Sequence, residues 1–261
     1  MDLRLDGKTA LVSASSSGLG KACVRSFADE GANVVCNGRD ADQLEAMVAE
    51  FDDSNGDVVG VTADLTDPEA IDALVSETID TFGGLDHLVT NIGGPSPASA
   101  LDIDSEAWDE AYDRLFMSAL RLIQRTATEL KDGGGSIVMM TSRTTREIIE
   151  GYALSNVFRL ALVGLNKTLS KELAPEIRVN AVAPGPFETG RIEALASEST
   201  EQGRFETREE AYEACGGNIP LGRPGEPSEL GDLVTYLASG RASYITGATV
   251  PIDGGVTDAP L

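Results

Sequence analysis

The sequence predicts an α/β domain of the doubly wound kind, a parallel sheet with helices on both faces, and two stretches carry that prediction. Near the N-terminus, Lys8–Ala14 (KTALVSA) is a short apolar run, followed by SSSGLG and then by KACVRSFADEG, which is apolar at helical spacing and ends on Gly31. Strand, Gly-rich turn and helix in that order present backbone N–H groups and a helix N-terminus to a pyrophosphate. Late in the chain, LxKxLxxELAPxIRVNAVAPG is apolar at helical spacing up to Leu173. A stop at Pro175, a β-branched run from Ile177 to Val182 and a Pro-Gly turn follow. Helix, turn, strand and loop make half of a parallel βαβ unit.

The totals narrow the function classes. A chain of 261 residues suits one α/β domain with a large core. Its 43 acidic and 20 basic residues give a net charge of -23, the wrong sign for a nucleic-acid binder and one that an anionic membrane surface repels. Apolar periodicity runs throughout, so the charge belongs on a folded surface, and it suggests adaptation to a salt-rich cytosol where ions screen self-repulsion. Cys23, Cys36 and Cys215 form an odd, widely spaced set without CxxC, which favours reduced thiols and a cytoplasmic location. A lone His87 argues against zinc. Asp2, Arg4 and Asp6 interrupt any signal-peptide core, and no stretch approaches the ~20 apolar residues of a membrane span.

Taken in order, the next strand is Asn33–Cys36, ending in Asn37-Gly38-Arg39, and a helix from about Ala41 to Phe51 leads to the turn DDSNG. A third strand spans Val58–Thr62. Asp67 and Pro68 read as the cap and first position of a helix running to Phe82. Gly83–Gly93 (GGLDHLVTNIG) is a turn and fourth strand, with His87 structural at the strand start and Gly94–Pro97 an ordered loop beyond it. Ser105–Leu130 reads as one long helix capped by Ser105 or Asp104, and Asp132–Gly135 as a turn into the buried strand Ile137–Thr141. After Pro184–Thr189 (PGPFET) comes a polar stretch, Arg191–Asn218, with two short helical patterns. IPLGRPGEP, a helix to Ser239 and YITGATVPIDGG close the chain.

In combination these motifs resemble the short-chain dehydrogenase/reductase family, and their end resembles β-ketoacyl-type reductases. The resemblance covers nearly the whole chain. It implies a single NAD(P)-binding Rossmann domain over 1–261, a seven-stranded parallel sheet in the order 3-2-1-4-5-6-7 and a substrate lid over 190–218. It also implies a homotetramer or homodimer, because in relatives the long helix and the final strand join subunits. The family turn TGxxxGxG appears as Ser13-Ala14-Ser15-Ser16-Ser17-Gly18-Leu19-Gly20. That places Ser13, Ser15, Ser17, Gly18, Leu19 and Gly20 at the cofactor phosphates, with Ala14 tolerable if its φ stays negative. Packing glycines at a strand–helix corner are the plainer alternative. No carboxylate stands at position 37, where a ribose 2′-OH is usually gripped, and Arg39 is placed to meet a 2′-phosphate. NADP(H) is therefore preferred, with NAD(H) still admitted; the alternative for Arg39 is pairing with Asp40 or Asp42. By the same resemblance Asp64 and Leu65 lie beside the adenine. Asn91 and Gly93, from an NNAG-like loop, shape the strand end near the nicotinamide ribose, and Pro184, Gly185 and Thr189 fix the carboxamide.

The reaction centre departs from the family. The register set by KELAP and RVNAVAPG aligns the expected Asn, Ser, Tyr and Lys with Leu115, Ser142, Ser155 and Arg159, so only the Ser is kept. A Tyr of ordinary pKa ~10 is lowered by a nearby Lys until it can pass a proton; a Ser hydroxyl has no such range and an Arg keeps its proton. Leu115 cannot hold the water that the family Asn holds. Tyr152 is a candidate replacement acid, lying seven residues before Arg159 and so on one helix face, but ~10 Å away along the axis; a packing or substrate-wall role is the alternative. Arg143 and Arg146 are candidates to polarise a carbonyl or bind an anionic substrate, against salt bridges with the surplus acids. Two functions remain: an atypical NADP(H)-dependent oxidoreductase acting on a ketone, 3-oxoacyl or sugar-like small molecule, or a redox-silent dinucleotide-binding sensor or assembly protein.

Overall fold

Seven strands make one parallel sheet in the computed structural model, which describes residues 1–201, 203, 205–216 and 218–259; the side chains of 131–133, 191, 212, 213, 215 and 216 lie outside that description. In chain order the elements are β1 (Thr9–Val12), α1 (Gly18–Asp29), β2 (Asn33–Gly38), α2 (Ala41–Val48), β3 (Val58–Thr62), α3 (Pro68–Phe82), β4 (His87–Thr90) and α4 (Ser105–Tyr112). Then come α5 (Ser118–Gly133), β5 (Ser136–Met140), α6 (Ala153–Glu172), β6 (Arg178–Pro184), α7 (Gly190–Glu201), α8 (Arg208–Gly216), α9 (Pro227–Ala238) and β7 (Thr249–Ile252). The sheet order is β3-β2-β1-β4-β5-β6-β7, as the resemblance implied.

Both faces of the five inner strands are buried, which is why they read as continuous apolar runs, while the edge strands β3 and β7 are only partly covered. Alternation sorts them: Leu11, Val35, Leu88, Ile137 and Met139 point into one core, while Val12, Val34, Val89, Val138 and Met140 point into the other. Cys23 and Cys36 are buried in the second core, and burial pushes both thiols up to about 12, so they are inert. Cys215 falls among the side chains outside the description.

Local chemistry fixes the helix ends. Asp40, Asp67 and Asp104 each accept a backbone N–H of the first turn, from Gln43, Glu69 and Ala107 respectively. Glu226 and Glu229 form a reciprocal capping box on α9. At the far end of α9 the guanidinium of Arg178 donates to the carbonyls of Leu237, Ala238, Ser239 and Ala242 at 2.7–3.1 Å.

Three sequence expectations need correction. The helix expected over Ser105–Leu130 is α4, a π turn at Asp113–Met117 and α5 running on to Gly133. The apolar period continues across the insertion, so spacing alone did not reveal it. The helix expected to reach Phe51 becomes a 3₁₀ turn from Ala49. Tyr152 is the residue before α6, with φ -116° and ψ 40°, and therefore shares no helix face with Arg159.

Candidate functional site

Strand order reverses beside β1, whose neighbours are β2 and β4, and the loops beyond the carboxyl ends of these strands part there. The resulting cavity has a volume of 1620 Å³ and runs from Arg39 and Asp64 at one end to Ser142, Tyr152 and Ile192 at the other. That exceeds a usual single-ligand pocket of about 300–1,000 Å³ and leaves room for a dinucleotide beside a smaller molecule.

The turn after β1 is held open from behind. Ser13 Oγ donates to the Asn91 carbonyl at 2.8 Å and accepts from the Asn91 N–H at 2.9 Å. Ser15 Oγ donates to the Val12 carbonyl and accepts from the Asn37 N–H. A Cβ on Gly20 would stand 2.6 Å from the Ala14 carbonyl oxygen, so only glycine lets α1 approach this closely. Ser13, Ser15 and Gly20 thus brace the turn and are absent from the cavity wall, which Ser17, Gly18 and Leu19 form. Ser17 precedes α1 without a side-chain cap, leaving first-turn N–H groups for an anion. Ala14 departs from expectation: its φ is +45°, left-handed backbone despite its Cβ.

At the opposite end Asn37 spends its amide on Ala14 N–H and on the Val61 and Ala63 carbonyls, so it is structural. Arg39 is exposed on the wall, and neither Asp40 nor Asp42 pairs with it among the described ion pairs. Asp64, held below the usual carboxylate range chiefly by the Thr66 N–H and then its hydroxyl, lies on the same wall with Leu65. Asn91 and Gly93 also line the cavity, and Asn91 Nδ2 donates to the Ala14 carbonyl. Pro184, Gly185 and Thr189 complete this wall, Thr189 facing Gly18 across the cleft. Ile192 and Leu195 of α7 lie over the inner end.

The inner end collects hydroxyls and cations. Ser142 Oγ accepts from the Thr144 N–H at 3.2 Å, and Thr144 Oγ1 lies 3.1 Å from Ser155 Oγ. Arg159, 4% exposed, donates to the Met140 carbonyl at 2.9 Å and the Ile92 carbonyl at 2.6 Å. Burial first, and the positive charge of Arg114 second, push it down to about 10, so it stays charged at neutral pH. Tyr152 lines the cavity. Arg143 also lines it but pairs with Glu147 at 3.4 Å; Arg146 does not reach the wall. Leu115 is fully buried in the core on the π turn and off the cavity. Thr144 and Arg114 were missed from sequence, because a hydroxyl and a cation in polar segments carry no spacing signal of their own. Among the described residues no group of three His, Cys, Asp or Glu could hold a metal ion, and no helix is long and apolar enough to cross a membrane.

Comparison with known proteins finds relatives along nearly the whole chain. A family model described as enoyl-(acyl carrier protein) reductase matches residues 13–257. The 3-oxoacyl-[acyl-carrier-protein] reductase FabG of Thermotoga maritima is 33% identical over 97% of this chain and 99% of its own length. Human dehydrogenase/reductase SDR family member 4 is 34% identical over 96% of this chain and 88% of its own. Among solved structures, the L-sorbose reductase of Gluconobacter frateurii, complexed with NADPH and L-sorbose, superposes with a TM-score of 0.93 at 30% identity. It covers 99% of this chain and 100% of that one.

Proposed function

The chain belongs to the short-chain dehydrogenase/reductase family, and we propose that it is an NADP(H)-dependent member with a non-standard proton path. Its substrate would be a ketone, a 3-oxoacyl compound or a sugar-like molecule, a range suggested by the 3-oxoacyl and sorbose reductases it resembles. One observation carries this reading. An uncapped α1 N-terminus, an exposed Arg39 and a buried hydroxyl cluster with Arg159 line a single cavity.

The wall residues fit a dinucleotide. Gly18 at φ +55° and the free first turn of α1 suit a pyrophosphate, and the fork of Arg39 suits a 2′-phosphate. Bound there, the cofactor supplies or accepts a two-electron hydride. The protein's share is positioning and charge. Ser142 Oγ accepts from the Thr144 N–H, which leaves its own proton for a substrate oxygen. Arg159, fixed by two carbonyls, stabilises negative charge developing on that oxygen without giving up its proton. Ser155 and Thr144 share a hydrogen bond that can reorient towards the same atom. The proton itself comes from Tyr152 on the cavity wall or from water. The rival reading, a redox-silent binding protein, draws on one fact: Ser155 and Arg159 already have protein partners.

NADPH consumption in molar KCl with activated ketones and acetoacetyl thioesters tests the two. The wild type is run beside Ser155→Tyr/Arg159→Lys. Turnover by the wild type is expected. Turnover by the variant alone would mean a pocket lacking its acid and would favour the binding protein.

A further inference from the structure

We propose that the substrate carries a carboxylate beside its carbonyl and that Arg114, on the π turn, takes it. This rests on the oxidoreductase reading of the cavity and names its substrate class as oxo acids. The expectation from sequence put anion binding on Arg143 or Arg146, but Glu147 already neutralises Arg143 and Arg146 stands off the wall. Arg114 is different. It lines the cavity, and among the described residues it enters no ion pair or side-chain hydrogen bond.

Its place at the inner end of the cavity, near Arg159, sets it apart. Arg114 is half-buried and, among the described residues, without an ion pair beside the buried cation Arg159. Burial chiefly, and after it the charge of Arg114, disfavour the charged form of Arg159. A monoanion between them relieves both. The nearby acids have other places: Asp113 pairs with Arg121 at 2.7 Å, Asp104 caps α4, and Asp102, Asp109 and Glu110 are exposed at the mouth. Among the described residues, no carboxylate lines the cavity from Met140 to Leu195, where Ser142, Thr144 and Ser155 lie. A planar guanidinium fork matches a carboxylate in two parallel hydrogen bonds. The acidic mouth opposes a dianion more than a monoanion, which favours a carboxylate over a phosphate ester.

The probes are 2-, 3- and 4-oxopentanoate, each beside its ethyl ester, at one fixed KCl concentration. Binding to the NADP⁺-loaded protein is measured by calorimetry, and NADPH-dependent reduction is followed separately. At least one acid should bind about 10- to 100-fold more tightly than its ester. Arg114→Met should erase that ratio with NADP⁺ affinity unchanged, and Arg114→Lys, the control should Met not fold, should restore part of it. Equal affinity for every acid and ester, or an Arg114→Met that weakens NADP⁺ while the ratio persists, overturns the proposal. Acid binding that depends on Arg114 without any turnover keeps the carboxylate site and sinks the oxidoreductase. Turnover without preference for the acids does the reverse.

Discussion

Ala14 holds a left-handed φ of +45° with a Cβ, a conformation costing an L-residue about 1–2 kcal/mol. The hydrogen bonds on either side of it, from its N–H to Asn37 and from Asn91 to its carbonyl, keep it there. Ala14→Gly should therefore stabilise the fold by about 1 kcal/mol, after the entropy that glycine adds to the unfolded chain, read as a higher urea midpoint. No gain would mean that the turn relaxes. His87 makes the opposite case. Buried, with Nδ1 on Ser136 Oγ and its ring tilted beside that of Phe27, it is pushed down to about 4, mainly by desolvation. Its folded pKa lies below the ordinary 6.5, so its contribution is present above pH 6.5 and is lost as pH falls towards 4, by up to ~3 kcal/mol. Urea midpoints of wild type and His87→Phe should converge across that window; a constant gap would refute the assignment. At this scale the sequence showed Ser142 and Ser155 through their fixed spacing. The strain at Ala14 and the Thr144–Ser155 bond depend on backbone angles and on a loop packing against a helix, which no spacing records.

Among the elements, α4, the π turn and α6 share an apolar surface. Tyr112 is 46% exposed, and Val157 and Leu160 are each 49% exposed. Tyr112 stacks on Phe116, and Trp108 meets Phe158 edge-on beneath them. We propose that a second copy of the chain covers this face, as the resemblance implied for the long helix. Leu160→Glu should then lower the mass found by light scattering to a smaller species, while an unchanged mass would place the contact elsewhere. Element existence was legible because strands buried on both sides are continuously apolar and four helices, α2, α3, α4 and α9, open on Asp or Glu caps. The break in the long helix was not, since Leu115, Ala119 and Leu122 keep an apolar stripe through the π insertion. Nor was the cap of α9, because Arg178 reaches it from a distant strand. Arg178→Met removes that charged donor and should cost about 1.5–3 kcal/mol; a loss below ~1 kcal/mol would show that the remaining donors and water replace it.

At the scale of the whole molecule, the parallel order of the sheet could be inferred only from the combination of motifs, since each strand's apolar run is compatible with many registers. Charge, in contrast, was legible from composition and still governs behaviour the fold alone does not set. The net charge is -23, and among the described residues only seven ion pairs form, most of them exposed, so most of the 43 acids have no cation beside them. Their mutual repulsion opposes the compact state. Screening shortens its range from about 10 Å at 0.1 M salt to about 3 Å at 1 M. We propose that the protein works in a salt-rich cytosol and needs that screening to stay folded. Circular dichroism on dilution from molar KCl to ~50 mM should show cooperative unfolding, reversed by salt. Adding NADPH should move the transition to lower salt if the cofactor binds only the folded chain. Full retention of helix signal in dilute buffer would mean that the two apolar cores and the caps outweigh the repulsion, and that the acidity serves solubility rather than folding.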